Sequence, residues 1–142
     1  MGSLFQIVYM STADPGLSEG DLTELLNDSA RRNYRMGITG VLLHHDGMFM
    51  QVLEGQEADV IALYDKILRD PRHHNIIPLI QEYVEKRLFA DSIMTSRASD
   101  LPALWERPDI KGFLERPINR ELPAKDIPKC LRLLLLFRHN FR

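Results

Sequence analysis

Three features of the sequence predict an α+β fold with the element order βαββαββ. Runs with strand chemistry recur at Leu4–Ser11, Ile38–His45, Met48–Glu54, Ile76–Val84 and Ser92–Ser96. Two stretches between them carry apolar residues at helical spacing. Asp46-Gly47 separates the second and third runs and is a strong hairpin signal. At 142 residues the chain fits one domain, which buries roughly 68–70% of the surface its unfolded form exposes.

In the first strand Phe5, Ile7, Tyr9 and Ser11 share one face, and Leu4, Val8 and Met10 the other, so both faces are to be buried. Asp14-Pro15-Gly16 ends it. Ser18 then opens a helix with Asp21 as its acidic third residue. Leu22, Leu25, Leu26 and Ser29 form its core stripe, and the helix runs to about Arg35 with a stop near Gly37. The second helix spans about Glu57 to Arg69, presents Val60, Leu63, Tyr64 and Ile67, and ends at Pro71. A turn near Lys86–Asp91 joins the last two strands.

Split βαβ units in this order give a ferredoxin-like, five-stranded mixed sheet with both helices over one face. The first and third strands are then central neighbours, which brings Tyr9 and Gln51 together beneath the helices. The opposite face, with Val8, Met10, Val41 and Leu43, needs a cover. Residues 98–142 are expected to supply it as C-terminal helices of the same compact unit, residues 1–97 forming the sheet domain. Within that cover, Leu101–Trp105 reads as a helical turn, and Pro108, Pro117 and Pro123 break the stretch from Arg107 to Pro123. The run Cys130–Phe137 is apolar almost all round a helix, which suits burial against the sheet or contact with a second subunit.

Composition narrows the function. Apolar residues make up 44% and charged residues 27%, as in soluble domains. Eighteen basic and 20 acidic residues leave a net charge of −2, so no direct nucleic-acid contact is expected. No stretch reaches the ~18 consecutive apolar residues of a membrane span, and the N-terminus lacks a signal-peptide layout. The lone Cys130 forms no internal disulfide and fits a reducing cytoplasm, and thiolate-rich metal sites are excluded.

Five histidines raise the question of a metal. His44 and His45 point to opposite faces of a strand, and His73 and His74 follow Arg72, whose charge opposes a cation, so none is expected. P-loop, Gly-x-Ser-x-Gly and Gly-x-Gly-x-x-Gly patterns are missing, and nothing argues for an enzyme. The unusual feature is polar chemistry on the helix-facing side: Gln51 between Phe49 and Leu53, Tyr9 and Ser11 beside Ile7, and Asn33 near the first helix end. Unmade hydrogen bonds there cost ~1–3 kcal/mol each. Either these groups satisfy one another, or a polar ligand inserts between the helices.

Four segments carry a resemblance: Val8–Ser11; Asn33 with Gly37–Leu43; Phe49–Gly55; and Asp70-Pro71-Arg72-His73. In this order they resemble the BLUF domain, a blue-light sensor that uses flavin adenine dinucleotide, over roughly residues 4–97. The resemblance implies that FAD (FMN or riboflavin as variants) lies between the two helices. It makes Tyr9 the donor of an electron and a proton, and Gln51 the bridge between Tyr9 and the ring, whose amide rearrangement swaps donor for acceptor. Asn33 would hold the pyrimidine edge, with Arg32 beside it. Leu25, Ile38 and Ile67 would make apolar ring contacts, and Lys66, Asp70, Arg72 and His73 would flank the ribityl chain and phosphates.

Met94 matches a family methionine near the glutamine, whereas Ser92 stands where family members often carry tryptophan. That departure bears on dark recovery and on the path to the output. The resemblance further implies a non-enzymatic photoreceptor, with the signal leaving through the last strand and C-terminal helices to a separate partner protein; the apolar helix expected at 129–138 is the candidate subunit contact of a homo-oligomer. The rival expectations are a flavin-dependent reductase or other ferredoxin-like enzyme, and a light-insensitive adaptor.

Overall fold

The computed structural model describes residues 3–45 and 47–89, and beyond them Leu133 alone. The elements are β1 (Leu4–Ala13), α1 (Glu19–Arg35), β2 (Thr39–His45), β3 (Met48–Gln56), α2 (Glu57–Leu68) and β4 (His73–Tyr83). The strands form one sheet in the order β2-β3-β1-β4, as a split βαβ arrangement requires. Four strands are described, not five, and all their pairings are antiparallel, not mixed. The physical reason is the insertion itself: strands that run the same way are always separated by one running the opposite way. The strand expected at Ser92–Ser96, Met94 within it, and the cover expected from residues 98–142 lie outside the described residues.

Register is fixed by the two-residue period of the strands. Ile7 faces Leu53, Tyr9 faces Gln51 and Ser11 faces Phe49 across β1 and β3. The tight connection between β2 and β3 has Gly47 at φ +75°, a region that favours glycine. At Gly40, opposite Leu53, an added Cβ would lie 1.8 Å from the Val52 carbonyl oxygen, so only glycine fits. β4 begins at His73, three residues before the expected Ile76, because His73 and His74 pair with Ala13 and Thr12. Register shifts in β1–β4 fall around Asn75, at φ +53°, and at Leu79, next to Pro78, which lacks an N–H and stands opposite Tyr9.

α1 is closed at both ends by local chemistry. Ser18 Oγ accepts from the Asp21 amide at 3.0 Å, and the Asp21 carboxylate accepts from the Ser18 amide at 3.0 Å, a reciprocal capping box. At the other end Gly37, at φ +68°, donates to the Tyr34 carbonyl, and Ile38 donates to the Asn33 carbonyl. That Schellman closure fixes Asn33 at the helix end. α1 buries Leu22, Leu25, Leu26, Ser29 and Asn33, while α2 buries Val60, Leu63, Tyr64 and Ile67.

The core on the helix side falls into two clusters. Under α2, Ile7, Tyr9, Ile38 and Leu53 pack with Val60, Leu63, Tyr64 and Ile67. Under α1, Leu42, Phe49 and Ala13 pack with Leu22, Leu25 and Leu26. Each Leu, Ile, Val or Phe among them contributes about 1.5–3 kcal/mol by leaving water. On the other face Val8, Val41, Leu43, Met50 and Val52 are also buried.

Candidate functional site: a polar cleft between the helices

A cleft of about 310 Å³, counting its open mouth, lies between the two clusters. The sheet contributes Tyr9, Leu42, Phe49, Gln51 and His73 to its lining; α1 contributes Leu25, Ser29 and Arg32; Ile67 and Asp70 come from α2 and the turn after it. Its centre is the cross-strand pair. Tyr9 donates its hydroxyl hydrogen to Gln51 Oε1, and both side chains are buried. Burial pushes the Tyr9 phenol well above its ordinary value, with nearby Arg32 partly opposing, so Tyr9 keeps its proton. Rotating the Gln51 amide would present Nε2 to Tyr9 and turn the phenol oxygen from donor into acceptor.

Two buried donors at this cleft, Gln51 Nε2 and Arg32 Nε, have no hydrogen-bond partner among the described residues. Each unpaired buried donor costs ~1–3 kcal/mol, so the described residues leave the cleft chemically incomplete.

His73 forms one wall. Its Nε2 lies 2.8 Å from the Ile67 carbonyl, which only accepts, so Nε2 carries a hydrogen. In the neutral ring Nδ1 therefore accepts from the Ser11 hydroxyl, also at 2.8 Å. The ring centroid is 6.1 Å from that of Tyr9 and 6.2 Å from that of Phe49. His73 thus ties the end of α2 to β1, two residues from Tyr9 on the same face. Beside it, Arg72 grips Asp70 through Nε and Nη2, at 3.0 and 2.7 Å, and reaches Asp28 at 3.4 Å. Burial works against the Asp70 charge, but these Arg72 hydrogen bonds win and hold its carboxyl below the usual range.

The residues singled out from sequence divide by position. Tyr9, Leu25, Arg32, Gln51, Ile67, Asp70 and His73 line the cleft together. Ile38 packs behind it under α2, and Asn33 is buried at the end of α1. Lys66 is exposed on α2, and Arg72 turns to its carboxylates; neither lines the cleft. Ser29, Leu42 and Phe49 line it without having been singled out as site residues. The signal for them was present: Ser29 completes the α1 stripe, Leu42 stands opposite Gln51, and Phe49 shares Gln51's face. Among the described residues no three His, Cys, Asp or Glu are grouped to hold a metal ion, and no helix is long and apolar enough to cross a membrane.

Comparison with known proteins gives a consistent result. The profile of the BLUF family, described as sensors of blue light using FAD, matches residues 4–95. The blue light- and temperature-regulated antirepressor BluF of Escherichia coli is 38% identical over 107 residues, 75% of this chain and 26% of that protein. The photoactivated adenylate cyclase subunit beta of Euglena longa is 33% identical over 104 residues, 72% of this chain. This chain spans only 12% of that cyclase subunit's length. Among solved structures, the dark state of the BLUF protein BlrB superposes with a TM-score of 0.69 at 28% identity, covering 96% of this chain and 98% of that one. BlrP1 of Klebsiella pneumoniae with FMN and cyclic diGMP gives 0.73 at 30% identity, covering 96% of this chain and 36% of that one.

Proposed function

Since this chain belongs to the BLUF family of blue-light sensors that use FAD, we propose that its cleft holds the flavin ring and that Tyr9 and Gln51 form the hydrogen-bond switch beside it. One observation carries the assignment: two buried donors, Gln51 Nε2 and Arg32 Nε, face a cleft in which Tyr9 already engages Gln51 Oε1. A flat ring edged with carbonyl oxygens and unprotonated nitrogens is the class of ligand that satisfies both, and the apolar walls of Leu25, Leu42 and Ile67 suit its faces. The residues present therefore fit the family's cofactor.

When bound, the flavin supplies blue-light absorption and an acceptor for an electron and a proton. The chain's own residues do the rest. Tyr9 holds its proton in the dark because burial disfavours the phenolate. Gln51 passes the change on by rotating or tautomerising its amide, which exchanges donor for acceptor toward Tyr9. Arg32 and Asn33 hold the polar edge of the ring, Leu25, Ile38 and Ile67 its apolar surface. His73 and Asp70, with Arg72 bracing Asp70 and Lys66 on the solvent side of α2, flank the tail of the cofactor. Met94 and residues 98–142 carry the signal out of the sensor unit, residues 1–97, to a separate partner protein. The E. coli relative, named an antirepressor, is consistent with a protein target. The protein works in the cytoplasm as a homo-oligomer, without catalysis of its own.

Titrating the purified protein with FAD, FMN and riboflavin, followed by quenching of flavin fluorescence, tests the assignment. One flavin per chain is expected, and Arg32→Ala should weaken binding on the order of tenfold, the worth of one lost hydrogen bond. Failure to take up any flavin would overturn the reading in favour of a light-insensitive adaptor. Steady oxidation of a reduced nicotinamide cofactor would instead favour a reductase.

A further inference from the structure

Among the described residues, one buried carboxylic acid takes no part in the photochemical switch. Glu54 lies on β3, three residues from Gln51, and so projects from the opposite face of the same strand. Its side chain is fully buried, which a carboxylate tolerates only with strong partners. Those partners come mainly from the segment that leaves β4. The Leu88 amide donates to Glu54 Oε2 at 2.7 Å, and the Phe89 amide donates to Oε1 at 2.7 Å. The Arg87 guanidinium donates from Nη1 to the Glu54 main-chain carbonyl at 3.1 Å and to Thr39 Oγ1 at 2.9 Å, Thr39 being the residue opposite Glu54 on β2. Gln6, opposite Glu54 on β1, also hydrogen-bonds the carboxylate.

Three consecutive residues, 87–89, are thus fastened to a single residue of β3, through both its side chain and its backbone. β3 is buried between its two neighbours β2 and β1, and a closely packed interior of this kind transmits strain from one face of a strand to the other. The clamp sits just before the part of the chain that leads to Met94. We propose that Glu54 is the positioning residue that couples the Gln51 strand to the segment leaving β4. It would hold Leu88 and Phe89 in the dark and slacken when the Gln51 hydrogen bonds rearrange. The inference rests on the light-sensor reading and names how that site reaches the rest of the chain.

Amide hydrogen exchange on the flavin-loaded full chain tests it, in the dark and under continuous blue light, with the flavin absorption recorded on the same sample. In the wild-type protein the Leu88 and Phe89 amides should exchange on the order of tenfold faster in the light, the loss of about one hydrogen bond. In Glu54→Gln, where one of the two amide bonds faces an NH₂ group, dark exchange should rise toward the lit wild-type rate. The light–dark difference should vanish while the flavin spectral shift keeps its full amplitude. A clamp with only a structural role would speed exchange equally in light and dark, and would leave no such difference in the wild type. Equal exchange in light and dark with the spectral shift present overturns the coupling and leaves the sensor reading intact. So does a Glu54→Gln protein that keeps the wild-type difference. Should Glu54→Gln fail to fold, the wild-type comparison alone decides. A wild-type protein with no spectral shift overturns both.

Discussion

The phenol of Tyr9 is a donor because the sheet and helices exclude water from it, and Gln51 is its acceptor because register places the two opposite each other. Tyr9→Phe should therefore keep the fold and the bound flavin, since only a hydroxyl is lost, yet abolish the light-induced absorption shift. A shift of normal size in that variant would remove Tyr9 from the switch. Gly40 is constrained in a different way, by the Val52 carbonyl lying where a Cβ would go. Gly40→Ala should destabilise the protein by at least about 1–3 kcal/mol, seen as a lower urea midpoint with an unchanged slope. Tyr9 and Gln51 were legible from alternation along two strands, because a period of two assigns each side chain a face. Glu54 was not. An acidic residue near a strand end reads as solvated until its partners are known, and those lie 34 and 35 residues away in the chain.

Helix α1 was readable almost to the residue, since its capping box and its closing glycine are local signals. Ser18→Ala should cost about 1 kcal/mol and lower Tm by about 3–5 °C, without changing the light response. β4 was harder to place. Asp-Pro-Arg-His-His-Asn reads as a turn, and its second half becomes strand only because β1 offers Thr12 and Ala13 as partners. Two carboxylates at such junctions give opposite pH signatures. Burial pushes Glu54 up, against the two amides, Arg87 and Gln6. A raised carboxyl contributes stability that is full below the ordinary glutamate value and is lost as pH climbs through the raised one. Asp70, held down by Arg72 in spite of burial, contributes stability that is present above the ordinary aspartate value and lost as pH falls through the lowered one. Urea midpoints measured against pH should therefore decline on both sides. Glu54→Gln should flatten the upper limb, and Asp70→Asn the lower.

At the scale of the whole molecule, the sheet is the frame that makes the cleft. β1 and β3 at its centre carry the Tyr9–Gln51 pair of the proposed switch, and the helices on one side of them leave a seam between two clusters, one under each helix. The order of the six described elements and the helix-side core were legible because amphipathic periods and one Asp-Gly signal determine them. The antiparallel character of every described pairing was less so, since strand direction depends on which strand inserts between which, and that is a property of the assembled sheet. The number of hydrogen bonds at stake is small. A change worth on the order of 1–3 kcal/mol biases a two-state element without unfolding a domain of this size. On the proposed reading that bias starts at the flavin, Tyr9 and Gln51. The most direct test is the absorption spectrum of the flavin-loaded protein before and after a blue flash. A small red shift of the flavin band that decays in the dark is the expected result. A flavin band that bleaches, or one that light leaves unchanged, would contradict it.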